Sequence, residues 1–123
     1  MSMHFDEKTK EITVNRGDRG TIILNNTLGD FKVGDKIKFS VVEKGNYNNV
    51  VFQKRFVVTQ DGPSFPLTFT KQDMTIGPII SKDVTYWYEI EYNGEHTLLG
   101  FDKKKGKKFI LFPEAPDKEG SEE

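Results

Sequence analysis

Residues 85–92 read Thr-Tyr-Trp-Tyr-Glu-Ile-Glu-Tyr and run directly into Asn93-Gly94. No other stretch limits the fold so strongly. A period of two places Tyr86, Tyr88, Ile90 and Tyr92 on one side and Trp87, Glu89 and Glu91 on the other, the pattern of a strand with two unlike faces. A helix would scatter those aromatic residues around its axis. The Asn-Gly pair suits the two central positions of a type I′ turn, both of which need positive φ, and residues 95–101 resume an extended pattern. A β-hairpin turning at Asn93 and Gly94 is therefore expected.

The same period recurs along the chain. After the turn signal Gly34-Asp35, residues Ile37, Phe39 and Val41 alternate with Lys36, Lys38 and Ser40. Residues 11–14, 20–24, 50–59 and 109–112 read as further strands, and Ile22 and Leu24 share a face. Phe65, Leu67 and Phe69 also share one, with Pro66 confining that strand to an edge or a bulge. Residues 45–49 read as a polar loop. Residues 71–82 are the least regular, with room for one helical turn at 71–74 and a stop at Gly77-Pro78. Ten Phe, four Tyr and one Trp suit a pleated, half-buried surface, and the single alanine, Ala115, works against helices.

These signals predict an all-β chain of about seven or eight short strands. Two antiparallel sheets packed face to face are expected, with a small barrel as the competing arrangement. Asp83, Tyr86 and Tyr88 sit where such sandwiches carry a corner tyrosine. With 123 residues, the chain is expected to form one domain over 10–114, between a flexible segment at 1–9 and a disordered acidic tail at 115–123.

Charge and composition narrow the chemistry. There are 18 basic and 19 acidic residues and no cysteine. Disulfides, thiolate metal sites and cysteine catalysis are excluded, and the near-neutral balance gives no pull toward nucleic acid or anionic lipid. No apolar run approaches the ~20 residues of a membrane helix, and residues 1–7 lack the basic start and apolar stretch of a signal peptide. His4 and His96 stand at unrelated positions and make no zinc site. Neither a Gly-x-Ser-x-Gly elbow nor a phosphate loop is present. Asp18, Asp30 and Asp35 each follow a glycine, which is ordinary turn chemistry rather than calcium-loop spacing. Lys103, Lys104, Lys105, Lys107 and Lys108 surround Gly106 without interleaved aromatics, as expected of a solvated hairpin tip. No cofactor or metal is expected.

Two further features invite functional readings. Trp87, Glu89, Glu91 and Tyr92 could form an aromatic and acidic face that binds carbohydrate, with Trp87 and Tyr92 exposed; the alternative is that Trp87 packs in the core or an interface. Arg16-Gly17-Asp18 spells the tripeptide read by cell-adhesion receptors. It falls between two short strands, however, where Gly17 and Gly20 let the chain turn and Asp18 can accept bonds from the amides it passes. Arg16 and Arg19 are left to pair or to contact a neighbour.

The order of these elements resembles the N-terminal domain of phage upper-baseplate proteins and the short prophage proteins related to it. The resemblance rests on Arg16-Gly17-Asp18, residues 67–73 (Leu-Thr-Phe-Thr-Lys-Gln-Asp), the aromatic strand 86–91 and the closing stretches 97–100 and 108–114. Glu89 stands where that family commonly has Asp, and Phe109-Ile110-Leu111 replaces its usual ending. The resemblance implies an immunoglobulin-like sandwich. It also implies a non-enzymatic structural role in a virion tail or baseplate, assembled in the bacterial host cytoplasm. Its partners would be other baseplate proteins and further copies of itself, with no nucleic acid or membrane involved.

Overall fold

Residues 3–27, 29–94, 96–97 and 107–114 are described by the computed structural model. Nine extended segments run through them: β1 (His4–Phe5), β2 (Ile12–Asn15), β3 (Gly20–Asn25), β4 (Lys36–Glu43), β5 (Asn46–Val57), β6 (Ser64–Phe69), β7 (Val84–Tyr92), β8 (His96–Thr97) and β9 (Lys107–Phe112). Among the described residues there is no helix, so the all-β expectation holds.

The strands form a large sheet in the order β1-β2-β9-β7-β4-β5 and a small sheet of β3 and β6. The short β8 also pairs with β7, at Glu91 and Tyr92, while β9 pairs with the same strand from Val84 to Tyr88. One pairing departs from the antiparallel expectation. β2 runs parallel to β9, with Ile12 opposite Phe109 and Asn15 opposite Phe112. Nearly the whole domain connects these two strands, so no tight hairpin forces them to run in opposite directions. The large sheet is mixed.

The small sheet packs onto one face of the large one, and the alternating residues meet there. Ile37, Phe39 and Val41 of β4, Tyr88 and Ile90 of β7, Phe109 and Leu111 of β9, Ile22 and Leu24 of β3, and Leu67 and Phe69 of β6 share one buried cluster. Phe39 is its aromatic centre, stacked on Tyr88 with ring centroids 5.4 Å apart and tilted against Phe69 at 5.0 Å. The tyrosine face of β7 thus turns inward, and Trp87 takes the opposite face. Tyr88 keeps its hydroxyl satisfied by donating to the Lys10 carbonyl at 2.6 Å, and burial pushes its pKa up. That bond reaches the segment before β2 and makes no local corner of the kind expected around Asp83.

Three local expectations meet different outcomes. Residues 45–49 are not a free loop: the turn is made at Lys44 and Gly45, and β5 begins at Asn46 opposite Glu43, with register shifts between Val41 and Glu43. Pairing with β4 outweighs the polar composition of Asn46, Asn48 and Asn49. The segment before residue 10 is not featureless: His4 and Phe5 pair with Thr13 and Ile12, and Met3 is buried so closely on Gly20 that a Cβ there would lie 2.4 Å from the Met3 Cβ. The single turn at 71–74 forms as expected, with the Met74 amide donating to the Thr70 carbonyl. Thr70 and Asp73 cap it reciprocally: the Thr70 amide donates to Asp73 Oδ2 and the Asp73 amide to Thr70 Oγ1. The acidic tail 115–123 and the lysine tip 103–106 lie outside the described residues.

Candidate functional site

Where β2 ends, the chain turns through Arg16, Gly17, Asp18 and Arg19. Gly17 takes a φ of 87°, and Asp18 closes the turn by donating its amide to the Asn15 carbonyl at 3.0 Å. The Arg16 amide continues the β2 ladder to the Phe112 carbonyl. Its side chain then points inward and is only 8% exposed. Nε donates to the Ile76 carbonyl at 3.1 Å and Nη2 to the Gly77 carbonyl at 2.7 Å. Nη1 pairs with Glu114 Oε1 at 3.1 Å.

Three separate parts of the chain therefore converge on one guanidinium: the end of β2, the end of β9 and the irregular segment before β7. Neighbouring backbone bonds reinforce the junction. The Gly17 amide donates to the Met74 carbonyl at 2.9 Å, and Asn15 Nδ2 donates to the Pro113 carbonyl at 2.7 Å. Arginine suits this task because its rigid fork satisfies several acceptors at once while its stem packs. An adhesion tripeptide must present its arginine to a receptor, whereas this arginine is internal. Arg19, by contrast, is exposed.

The segment held by Arg16 has a buried side and an exposed side. Met74 and Ile76 are buried in the core, and Ile80 packs against it. Lys54 Nζ of β5 reaches Asp73 Oδ2 at 2.6 Å and the Thr68 carbonyl at 3.0 Å. Partial burial of Asp73 opposes its ionisation, but the Lys54 bond and the Thr70 amide outweigh it and hold the carboxyl below its ordinary pKa. Between these anchors, Gly77 turns at a φ of 66° and Pro78 follows. Ile79 then stands 80% exposed, more than any other large apolar side chain among the described residues.

The opposite end of the large sheet carries the predicted hairpin. Asn93 and Gly94 take φ values of 53° and 75°, as a type I′ turn requires. Asn93 also works as a clasp. Its Oδ1 accepts the Lys36 amide at 2.7 Å, and its Nδ2 donates to Asp35 Oδ1 at 3.3 Å. Asp35 accepts the Tyr92 hydroxyl at 2.6 Å and the Lys32 amide at 2.9 Å. These donors, with Tyr92 foremost, lower the Asp35 pKa, and the same bond raises that of Tyr92.

Beside this turn lies a groove of about 460 Å³ over the outer face of β4 and β5, lined by the side chains of Lys36, Lys38, Arg55, Val57 and Glu91, while Ile37 and Phe56 in the same stretch turn to the core side. Lys38 is neutralised across the sheet by Glu91 at 3.3 Å. Lys36 and Arg55 are exposed and have no carboxylate partner among the described residues.

The residues expected to form a carbohydrate face are not brought together. Tyr92 belongs to the inward side of β7 and packs edge-on against Phe31 at 5.6 Å. Trp87 is on the outer side but only 8% exposed, with Tyr47 of β5 tilted over it at 5.3 Å. Tyr47 is thus the aromatic ring presented there, a placement that local composition does not signal because residues 45–49 read as a loop. Glu89 and Glu91 share the outer face with Trp87, Glu89 opposite Ser40 and Glu91 opposite Lys38. No cluster of three metal-ligating side chains occurs among the described residues, and no helix among them is long and apolar enough to cross a membrane. In comparisons with known proteins, the chain matches no family model, no curated protein and no solved structure.

Proposed function

We propose that the chain is a non-enzymatic structural module that joins protein neighbours in a phage or prophage tail baseplate, built in the bacterial cytoplasm and carried in the virion. The observation that carries this reading is the clamped segment before β7. An irregular backbone is held by a buried arginine, two buried apolar anchors and a lysine bridge, yet it presents a fully apolar side chain, Ile79, to solvent. Ordering such a segment costs about 1–2 kcal/mol of backbone entropy per residue. A rigid apolar projection of this kind suits contact with another protein.

The fold supports the same reading. The order β9-β7-β4-β5 over β3-β6 follows the order of strands G-F-C-C′ over B-E in an immunoglobulin-like sandwich. The internal use of Arg16 fits a structural link at this end of the sheet in place of an adhesion loop. Co-purification of the tagged chain with the products of the genes beside its own tests the proposal. Stable complexes at micromolar concentration are expected; a strict monomer that binds none of them counts against it.

A carbohydrate-binding role is the second reading, favoured by one observation, the exposed Tyr47 ring backed by Trp87. Specific binding on a glycan array, abolished by Tyr47→Ala, would support it in place of assembly.

A further inference from the structure

Asn93 is the only asparagine of this chain that a glycine follows, and it holds the hairpin end of the large sheet together. Its backbone amide donates to the Lys36 carbonyl at 2.7 Å, and its Oδ1 accepts the Lys36 amide at 2.7 Å. One residue therefore grips both polar groups of the first residue of β4 and extends the pairing of β4 with β7 one position beyond Tyr92. Nδ2 completes the clasp by donating to Asp35 Oδ1 at 3.3 Å. Asp35 is itself fixed by the Tyr92 hydroxyl and the Lys32 amide.

The same residue is placed to react with its neighbour. Asparagine is among the thermolabile side chains, and the lability is greatest before glycine, where no side chain shields the backbone nitrogen that attacks. Asn93 and Gly94 are both exposed to water. Apart from chain neighbours, no described atom lies within 4 Å of the place a Gly94 Cβ would take. In the reaction the Gly94 nitrogen bonds to Asn93 Cγ and gives up its proton, while the Cγ–Nδ2 bond breaks and Nδ2 leaves as ammonia. Water then opens the cyclic imide, adding hydroxyl to one carbonyl carbon and hydrogen to the nitrogen. Opening at Cγ leaves aspartate. Opening at the main-chain carbonyl leaves isoaspartate, in which the backbone runs through Cγ. Water is the only co-reactant.

We infer that Asn93 is a site of spontaneous deamidation by water, that its clasp on Lys36 and Asp35 restrains the reaction, and that the product releases the clasp for good. The restraint is geometric. Two hydrogen bonds hold the side-chain amide against Lys36 and Asp35, so Cγ reaches the Gly94 nitrogen only when the side chain lets go, and the reaction draws on the locally opened hairpin. The release is electrostatic. In the product an oxygen replaces the Nδ2 donor, so a carboxylate at position 93 faces the Asp35 carboxylate with no proton between them, and like charges so close repel. Isoaspartate also lengthens the backbone by a methylene inside a turn whose ends are paired at Tyr92 and His96. Ammonia is lost, so the change runs one way. This end of the sheet passes from clasped to open as the chain ages, whatever the chain assembles with.

The test is peptide mapping by mass spectrometry of the full chain aged in mildly alkaline buffer, resolving asparagine, aspartate and isoaspartate at position 93. Folded wild type, wild type unfolded in guanidinium chloride, and folded Asp35→Ala are compared. Conversion in the folded wild type is expected to be slower than in the unfolded chain by about tenfold or more. Asp35→Ala is expected to convert about fivefold faster than folded wild type, the population shift that one net hydrogen bond holds back. Circular dichroism checks that this variant is folded. If it is not, Tyr92→Phe, which removes one of the bonds that fix the Asp35 carboxylate, carries the same expectation. Asn93→Asp reproduces the charge of the product, and its Lys36 amide is expected to exchange hydrogen faster than in wild type.

An unchanged position 93 in the folded chain, over a period in which the unfolded chain converts, overturns the inference. A folded rate equal to the unfolded rate does the same, and so does a folded Asp35→Ala that converts no faster than wild type. A Lys36 amide as well protected in Asn93→Asp as in wild type overturns the release of the clasp.

Discussion

Replacing Arg16 with alanine should be among the most damaging single changes in this chain. The wild-type guanidinium is buried and makes two bonds to backbone carbonyls, at Ile76 and Gly77, and one ion pair to Glu114. Buried bonds from a charged donor contribute about 1.5–3 kcal/mol each. The Glu114 side chain is 48% exposed, so screening limits that pair to at most about 1 kcal/mol. Some water will reach the orphaned carbonyls, which reduces the loss, while truncating the packed stem adds to it. The expected destabilisation is about 3–5 kcal/mol.

With a urea slope of about 1.5 kcal/mol/M, the unfolding midpoint should fall by about 2–3 M. Arg16→Lys keeps the charge but not the fork and should fall in between. Hydrogen exchange adds a local reading, since the Gly17 amide bonded to the Met74 carbonyl should lose protection first. A midpoint for Arg16→Ala within about 0.5 M of wild type would refute the clamp and return the tripeptide to the surface.

Other positions make independent tests. Gly20→Ala should cost about 1–3 kcal/mol in urea unfolding and release β1, because the new Cβ would collide with Met3; unchanged stability would mean Met3 does not pack there. Asn93→Ala loses both a comfortable positive φ and the bond to the Lys36 amide, so about 1–2 kcal/mol of stability should go, checked by thermal unfolding. Asp35 has a folded pKa below its unfolded value. Its contribution is therefore complete above about pH 4 and disappears as pH falls through the folded pKa. Asp35→Asn should flatten the acid limb of the stability profile, and an unchanged limb would assign it to other carboxylates. Tyr92 behaves oppositely, since its pKa is raised: its share is present below about pH 10 and is lost as pH climbs through the folded value.

What could be read from the sequence was what short-range chemistry decides. The Asn93-Gly94 turn, the inward set of β4 and the single turn at 71–74 each depend on residues a few positions apart. Pro66 on a strand with one partner is legible for the same reason: a missing donor excludes a central position. Arg16 was not legible in this sense. Its acceptors lie 60, 61 and 98 residues away, and no periodicity encodes a guanidinium that closes three chain segments. The parallel pairing of β2 with β9 escaped similarly, because strand direction depends on the path between strands and not on either strand's composition. Tyr47 was hidden by its asparagine neighbours, which suit a turn better than the pairing with β4 imposed on them.

The side of β7 shared by β8 and β9 has a consequence for how this chain can vary. From Glu91 back to Tyr88 the strand advances three positions, while its partner advances ten, from Thr97 to Lys107. Both ends of that longer path are fixed by hydrogen bonds to the same strand, so each partner reports on its own end of β7, β8 at Glu91 and Tyr92 and β9 from Val84 to Tyr88. In practical terms a change in β8 acts beside the hairpin clasp, whereas a change at Phe109 or Leu111 acts beside the Arg16 junction, so one edge of one strand separates the two.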